Sequence, residues 1–161
     1  SELGPEVIKI DEFSGREDAL ELDPARLAPG AAMPAQFVRN LFTDDTGRFF
    51  AGIWRSSQGA WHVSYTENEL CVLTEGRVRI SDDHGRSWTF GPGDCFVMPA
   101  GFRGLWEGLE PAPWQCAAAR ILPATGRFPV ARFVQSAPWR DRLPASRGNR
   151  VASDTMLSLA A

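Results

Sequence analysis

From residue 37 to residue 121, apolar and polar positions alternate in short runs, and most runs end on Gly, Pro, Asp or Asn. A period of two predicts half-buried strands rather than helices. The runs 60–66, 69–74, 77–81, 87–90, 95–98, 104–107 and 114–121 are read as strands. Two earlier ones join them: FVRNLFT over 37–43, read as an edge strand, and RFFAGIWR over 48–55. Asp83-His84-Gly85 is read as a hairpin tip, with the glycine supplying a positive φ. Many short strands joined by tight turns predict an all-β sandwich or barrel. The rhythm is densest between Trp61 and Trp106.

The flanks lack this rhythm. Ser14-Gly15-Arg16-Glu17 has the form of a capping box and predicts a short helix over Gly15–Leu22. Pro24, Pro29 and Pro34 then break any regular element. Residues 122–161 are rich in Pro, Arg and Ser, with a short helix expected from Ser153. That segment reads either as a docked or swapped extension or as a partly disordered one. The chain therefore divides into an N-terminal arm (1–36), a β domain (37–122) and a C-terminal extension (123–161).

Composition narrows the function classes. With 161 residues, 43% hydrophobic and 23% charged, the chain is long enough to bury a core. A net charge of -3 leaves no basic footprint, so nucleic acid is not an expected partner. No apolar run reaches the roughly 20 residues of a membrane helix, and the acidic N-terminus lacks the apolar core of a signal peptide. Cys71, Cys95 and Cys116 are odd in number and widely spaced. They suit a reducing cytoplasm better than a disulfide framework or thiolate zinc site. The acidic head and arginine-rich tail are either solvated flanks or partners, within one chain or across a homodimer.

Two spaced motifs carry a resemblance. Glu69, six residues and Gly76 match the second half of the first cupin motif. Gly93, five residues, Pro99, one residue and Gly101 match the first half of the second. Residues 48–121 thus resemble the cupin superfamily, which implies a jelly-roll double-stranded β-helix. Gly52-Ile53-Trp54, Tyr65 to Glu69, Gly91 to Asp94 and Pro99 to Trp106 further resemble the ureidoglycine-aminohydrolase-like branch. That branch implies a manganese-dependent hydrolase.

The metal ligands implied by the resemblance are mostly replaced. The His-x-His pair falls on Val63 and Tyr65, or on His62 and Ser64, and the later histidine falls on Gly104. Glu69 is retained. A catalytic divalent metal generally needs about three protein ligands, so no metal cofactor is expected here. Surrogate ligands would come from Glu67, His62, His84 or a cysteine.

If Glu69 faces inward as the resemblance implies, alternation brings Cys71 to the same face, with Val63 and Tyr65 inward on the preceding strand. Gly104 is expected to leave room where the histidine would stand, with Trp106 beside it. The expected pocket for a small-molecule ligand is lined by Tyr65, Glu69, Cys71, Trp106 and Met98. Glu69, desolvated there, would act as general base with Tyr65 as proton donor. Alternatively it caps turn amides or pairs with an arginine such as Arg103. Tyr65, Cys71 and the tryptophans read equally as core. Four readings stay open: a metal-free ligand-binding cupin, a manganese hydrolase, a metal-free isomerase or lyase using Glu69 and Tyr65, and a dimerising scaffold without pocket chemistry. The Trp- and Phe-rich strands and long arms predict a homodimer in any case.

Overall fold

A computed structural model describes residues 3–124. Ten strands form two antiparallel sheets, with no α-helix among the described residues. The strands are β1 (Asp18–Leu20), β2 (Gln36–Thr43), β3 (Phe49–Ser56), β4 (Ala60–Ser64) and β5 (Asn68–Glu75). They continue with β6 (Val78–Asp82), β7 (Ser87–Phe90), β8 (Cys95–Met98), β9 (Arg103–Gly108) and β10 (Trp114–Ile121). One sheet has the order β1-β2-β3-β10-β5-β8 and the other β4-β9-β6-β7. The all-β expectation is met, and the expected strands match to within about two residues at each end. The predicted hairpin tip lies between β6 and β7, where Gly85 adopts a φ of 83°.

Two expectations fail near the N-terminus. No helix spans 15–22; residues 18–20 form β1 and pair with β2. The capping box cannot close, because Arg55 takes the Glu17 carboxylate in two bonds of 3.0 and 2.6 Å. Asp11 meanwhile accepts from the amides of Phe13 and Ser14 and turns the chain just before Gly15, whose φ is 71°. β2 is consequently not an edge strand over its first residues, since β1 covers them. The acidic arm thus meets Arg55 and Arg39 of the barrel. The arginine-rich tail and the helix expected from Ser153 lie outside the described residues.

Inward positions follow strand alternation, and much of the interior is filled with indoles. Trp54 meets Trp61, Trp106 and Trp114 with ring centroids 6.2, 5.0 and 4.5 Å away. All four are at most 1% exposed. Edge-to-face pairs of this kind add about 0.5–1.5 kcal/mol each beyond their burial. Leu20 and Leu22 of the arm are buried in the same core. The outer face of the four-stranded sheet is polar, carrying for example the Arg79–Glu107 ion pair. The outer face of the six-stranded sheet carries an apolar row instead: Val97, Leu70, Ala119, Ala51 and Phe42 are successive cross-strand partners.

Candidate functional site

The site is built on β5. Glu69 stands opposite Arg120 of β10 on one side and Met98 of β8 on the other. Directly opposed residues project to the same face of a sheet, so carboxylate, guanidinium and thioether share one interior row. Arg120 Nε donates to Glu69 Oε2, and the pair is 0% and 1% exposed. Glu69 Oε1 accepts from the Cys71 thiol at 2.8 Å and from the Tyr65 hydroxyl at 3.5 Å. Four side chains from three stretches of chain thus meet in a dry, charge-assisted network.

Burial, reinforced by the Glu69 charge, pushes Tyr65 and Cys71 well above their usual ranges. Both are therefore neutral near pH 7, and a protonated thiol is a poor nucleophile. Cys116 is raised in the same way, by burial first and then by Glu69. A second carboxylate, Glu67, sits in the β4–β5 turn yet is 1% exposed. Its Oε1 accepts from Thr66 Oγ1 at 2.6 Å, while its Oε2 has no hydrogen-bond partner among the described residues. Burial pushes Glu67 up, against the pull of Arg120.

Most of the expected inward set comes together. Tyr65 and Cys71 both reach Glu69 Oε1, and Val63 faces inward while His62 and Ser64 face out. Trp106 shares the inward face of Gly104 but is locked into the tryptophan cluster. The arginine on Glu69 is Arg120, not Arg103, which is exposed on the outer face opposite Ser64. Gly104 does not leave room for a side chain: a Cβ there would stand 1.9 Å from the Ser81 carbonyl oxygen. The glycine lets β9 and β6 approach closely instead.

The metal implied by the resemblance does not fit these residues. Glu69 is already neutralised by a guanidinium, Val63 offers no donor, and Gly104 admits no side chain. His62 faces out and His84 lies in the exposed β6–β7 turn. Among the described residues, no three His, Cys, Asp or Glu side chains are grouped to hold a metal ion.

Sequence reasoning missed the aromatic cavity beside this network. A cavity of about 420 Å³ lies where β7, the edge of one sheet, faces β8, the edge of the other. Ile80, Trp88, Phe90, Phe96, Met98 and Phe102 line it. Trp88 is opposite inward-facing Ile80 yet remains 39% exposed, so it marks the mouth. Phe90 and Phe96 stack at 3.9 Å and join the two edges. Met98 is both cavity wall and cross-strand neighbour of Glu69, and Phe102 meets both Tyr65 and Trp88. The available signal was parity: Trp88 and Phe90 fall on the same face of the run 87–90.

Two antiparallel sheets closed over this interior define a cupin jelly roll. The family model for the EutQ-like cupin domain matches residues 43–112. A protein of unknown function from Pseudomonas syringae pv. tomato, of the DUF861 family, is similar at 24% identity and a TM-score of 0.59. That likeness covers 69% of this chain but 46% of the other, so this chain spans less than half of that protein. The EutQ protein of Clostridium difficile is 19% identical over 65% of this chain and 77% of its own, with a TM-score of 0.51. The polyketide cyclase RemF from Streptomyces resistomycificus is 17% identical over 71% and 79%, with a TM-score of 0.50. At these identities the structural likenesses speak to fold. No curated protein matches the chain. Residues 43–112 therefore match a cupin-domain model, and the described residues have the cupin fold.

Proposed function

We propose that this cupin binds a small, largely apolar and flat molecule in the cavity between β7 and β8, without a metal. The observation that carries this reading is the lining: eight apolar residues, four of them aromatic, surround about 420 Å³ beside a buried polar network. Pockets of this size with few polar groups are the usual form of a small-molecule site. Arg86, whose guanidinium lies 5.3 Å from the Trp88 ring centroid, supplies a polar rim. The finer likeness to ureidoglycine aminohydrolases contributes the frame alone, because a manganese-dependent hydrolase would need ligands that Val63 and Gly104 do not supply. A cytoplasmic home is supported by three free cysteines. A homodimer is supported by the apolar row on the six-stranded sheet. No helix among the described residues is long and apolar enough to cross a membrane.

The test uses an uncharged fluorescent probe, N-phenyl-1-naphthylamine, on the full chain. One probe per chain is expected to bind, with Trp88→Ala removing binding while the thermal transition is kept. Binding unaffected by Trp88→Ala and by Phe102→Ala would reject the cavity as the site.

A second reading is favoured by one distance. The Tyr65 hydroxyl lies 3.5 Å from Glu69 Oε1, so the acid and the base of such a reaction stand side by side. An isomerase or lyase would use Glu69 as base and Tyr65 as acid, with Arg120 holding the carboxylate in place. Turnover that survives Glu69→Gln would exclude it.

A further inference from the structure

A second concavity lies on the other side of the Pro99–Phe102 turn and differs in chemistry. It encloses about 390 Å³ at the β4 edge of the four-stranded sheet. Its polar side chains are Arg26, His62, Ser64, Thr66, Asp83 and Arg103. Ser64 and Arg103 are direct partners across β4 and β9, so they project to the same face, with His62 two residues along. Arg26 arrives from the 3-10 turn Pro24–Arg26, which is fixed over β4 by the Leu27–Trp61 bridge. Its Nε donates to the His62 carbonyl at 3.1 Å, which holds the guanidinium at the cavity wall.

We propose that this cavity is an oxyanion site, taking the carboxylate or phosphate group of a small metabolite. Two guanidinium groups and the Ser64 hydroxyl line it against one carboxylate, Asp83 at the rim, while the Thr66 hydroxyl is already given to Glu67. A planar guanidinium is well matched to two-oxygen recognition of such groups. Arg103 makes no ion pair with another described residue, so its charge is available to a ligand. Burial pushes Arg26 down to about 10, offset in part by Tyr65 and then by Asp23.

This site does not depend on the apolar cavity, and the experiment separates the two. In the full chain, the arginine Nε resonances are followed while inorganic phosphate or formate is added at constant ionic strength. Saturable shifts are expected at Arg26 and Arg103. Arg103→Gln, at an exposed position that leaves the core intact, is expected to weaken binding about tenfold, the loss of one charge-assisted hydrogen bond. Arg77→Gln, in the β5–β6 turn, should leave affinity unchanged, and so should Trp88→Ala. Tighter binding of phosphate would assign a phosphoryl group, and tighter binding of formate a carboxyl group. Shifts that fail to saturate, or that Arg77→Gln weakens as much as Arg103→Gln, would overturn the proposal.

Discussion

Glu69 on β5 and Arg120 on β10 are direct cross-strand partners, bonded to each other and closed off from solvent. A carboxylate left in this interior without a counter-charge would carry a large desolvation cost. Removing the guanidinium alone should therefore be far more damaging than removing both charges. Arg120→Met is expected to lower stability by about 3–5 kcal/mol, and Arg120→Met combined with Glu69→Leu to recover much of that loss. Urea unfolding of the two variants and the parent, analysed as a cycle with Glu69→Leu, measures the coupling. Additive effects would mean the pair is not coupled.

Gly104 gives a second prediction. A Cβ at this position would approach the Ser81 carbonyl to 1.9 Å, and a backbone oxygen cannot swing aside as a flexible side chain can. Gly104→Ala should cost about 3 kcal/mol, at the upper end for overpacking. Gly104→His, combined with Val63→His, should fail to create a manganese site. Unfolding midpoints and metal titration check the two statements separately.

Glu67 sets a pH dependence whose sign can be worked out. Burial raises it above 4.5 in the folded chain. Between 4.5 and the raised value, the folded state holds a proton that the unfolded state has released. Its contribution to stability is therefore full at low pH and is lost as pH rises through the folded pKa. Glu67→Gln still accepts from Thr66 but cannot ionise. It should flatten that decline, as read from urea midpoints across a pH series.

Glu17 acts with the opposite sign. Its bonds to Arg55 hold it below 4.5 in the folded chain, so this contribution is present above that pH and fades as pH falls. Arg55→Gln should remove the acid-side loss and loosen the arm. Faster amide exchange at residues 18–20, where β1 pairs with β2, is the expected readout.

The apolar row on the six-stranded sheet leaves Val97 58%, Leu70 47% and Phe42 37% exposed. If two copies meet there, Leu70→Glu with Val97→Glu should convert a dimer into a monomer by light scattering. An unchanged mass would remove this face from consideration.

The strands were legible because half-buried sheets write a period of two into the chain, and the turns are marked by Gly, Pro and Asp. Glu69 was legible from its spacing to Gly76. Its partner was not, because Arg120 follows Ala117-Ala118-Ala119 near the end of a strand and looks like a solvent-facing terminus. Parity with Trp114, Cys116 and Ala118 turns it inward, and the register of β5 against β10 sets it on Glu69. Glu67 was hidden for a similar reason: a turn carboxylate is normally wet, and nothing local says that this one is covered. The helix over 15–22 was misread because its capping glutamate serves a distant arginine. The aromatic cavity required knowing that β7 and β8 face each other across the two sheets.

The four packed indoles have a spectroscopic consequence. Rings 4.5 to 6.2 Å apart and inclined to one another couple their electronic transitions. The resulting exciton bands would overlie the amide region of a circular dichroism spectrum and distort any strand content extracted from it. The same overlap makes that spectrum sensitive to side-chain geometry, so loss of the couplet on heating would report loosening of the interior even while the backbone ladders persist.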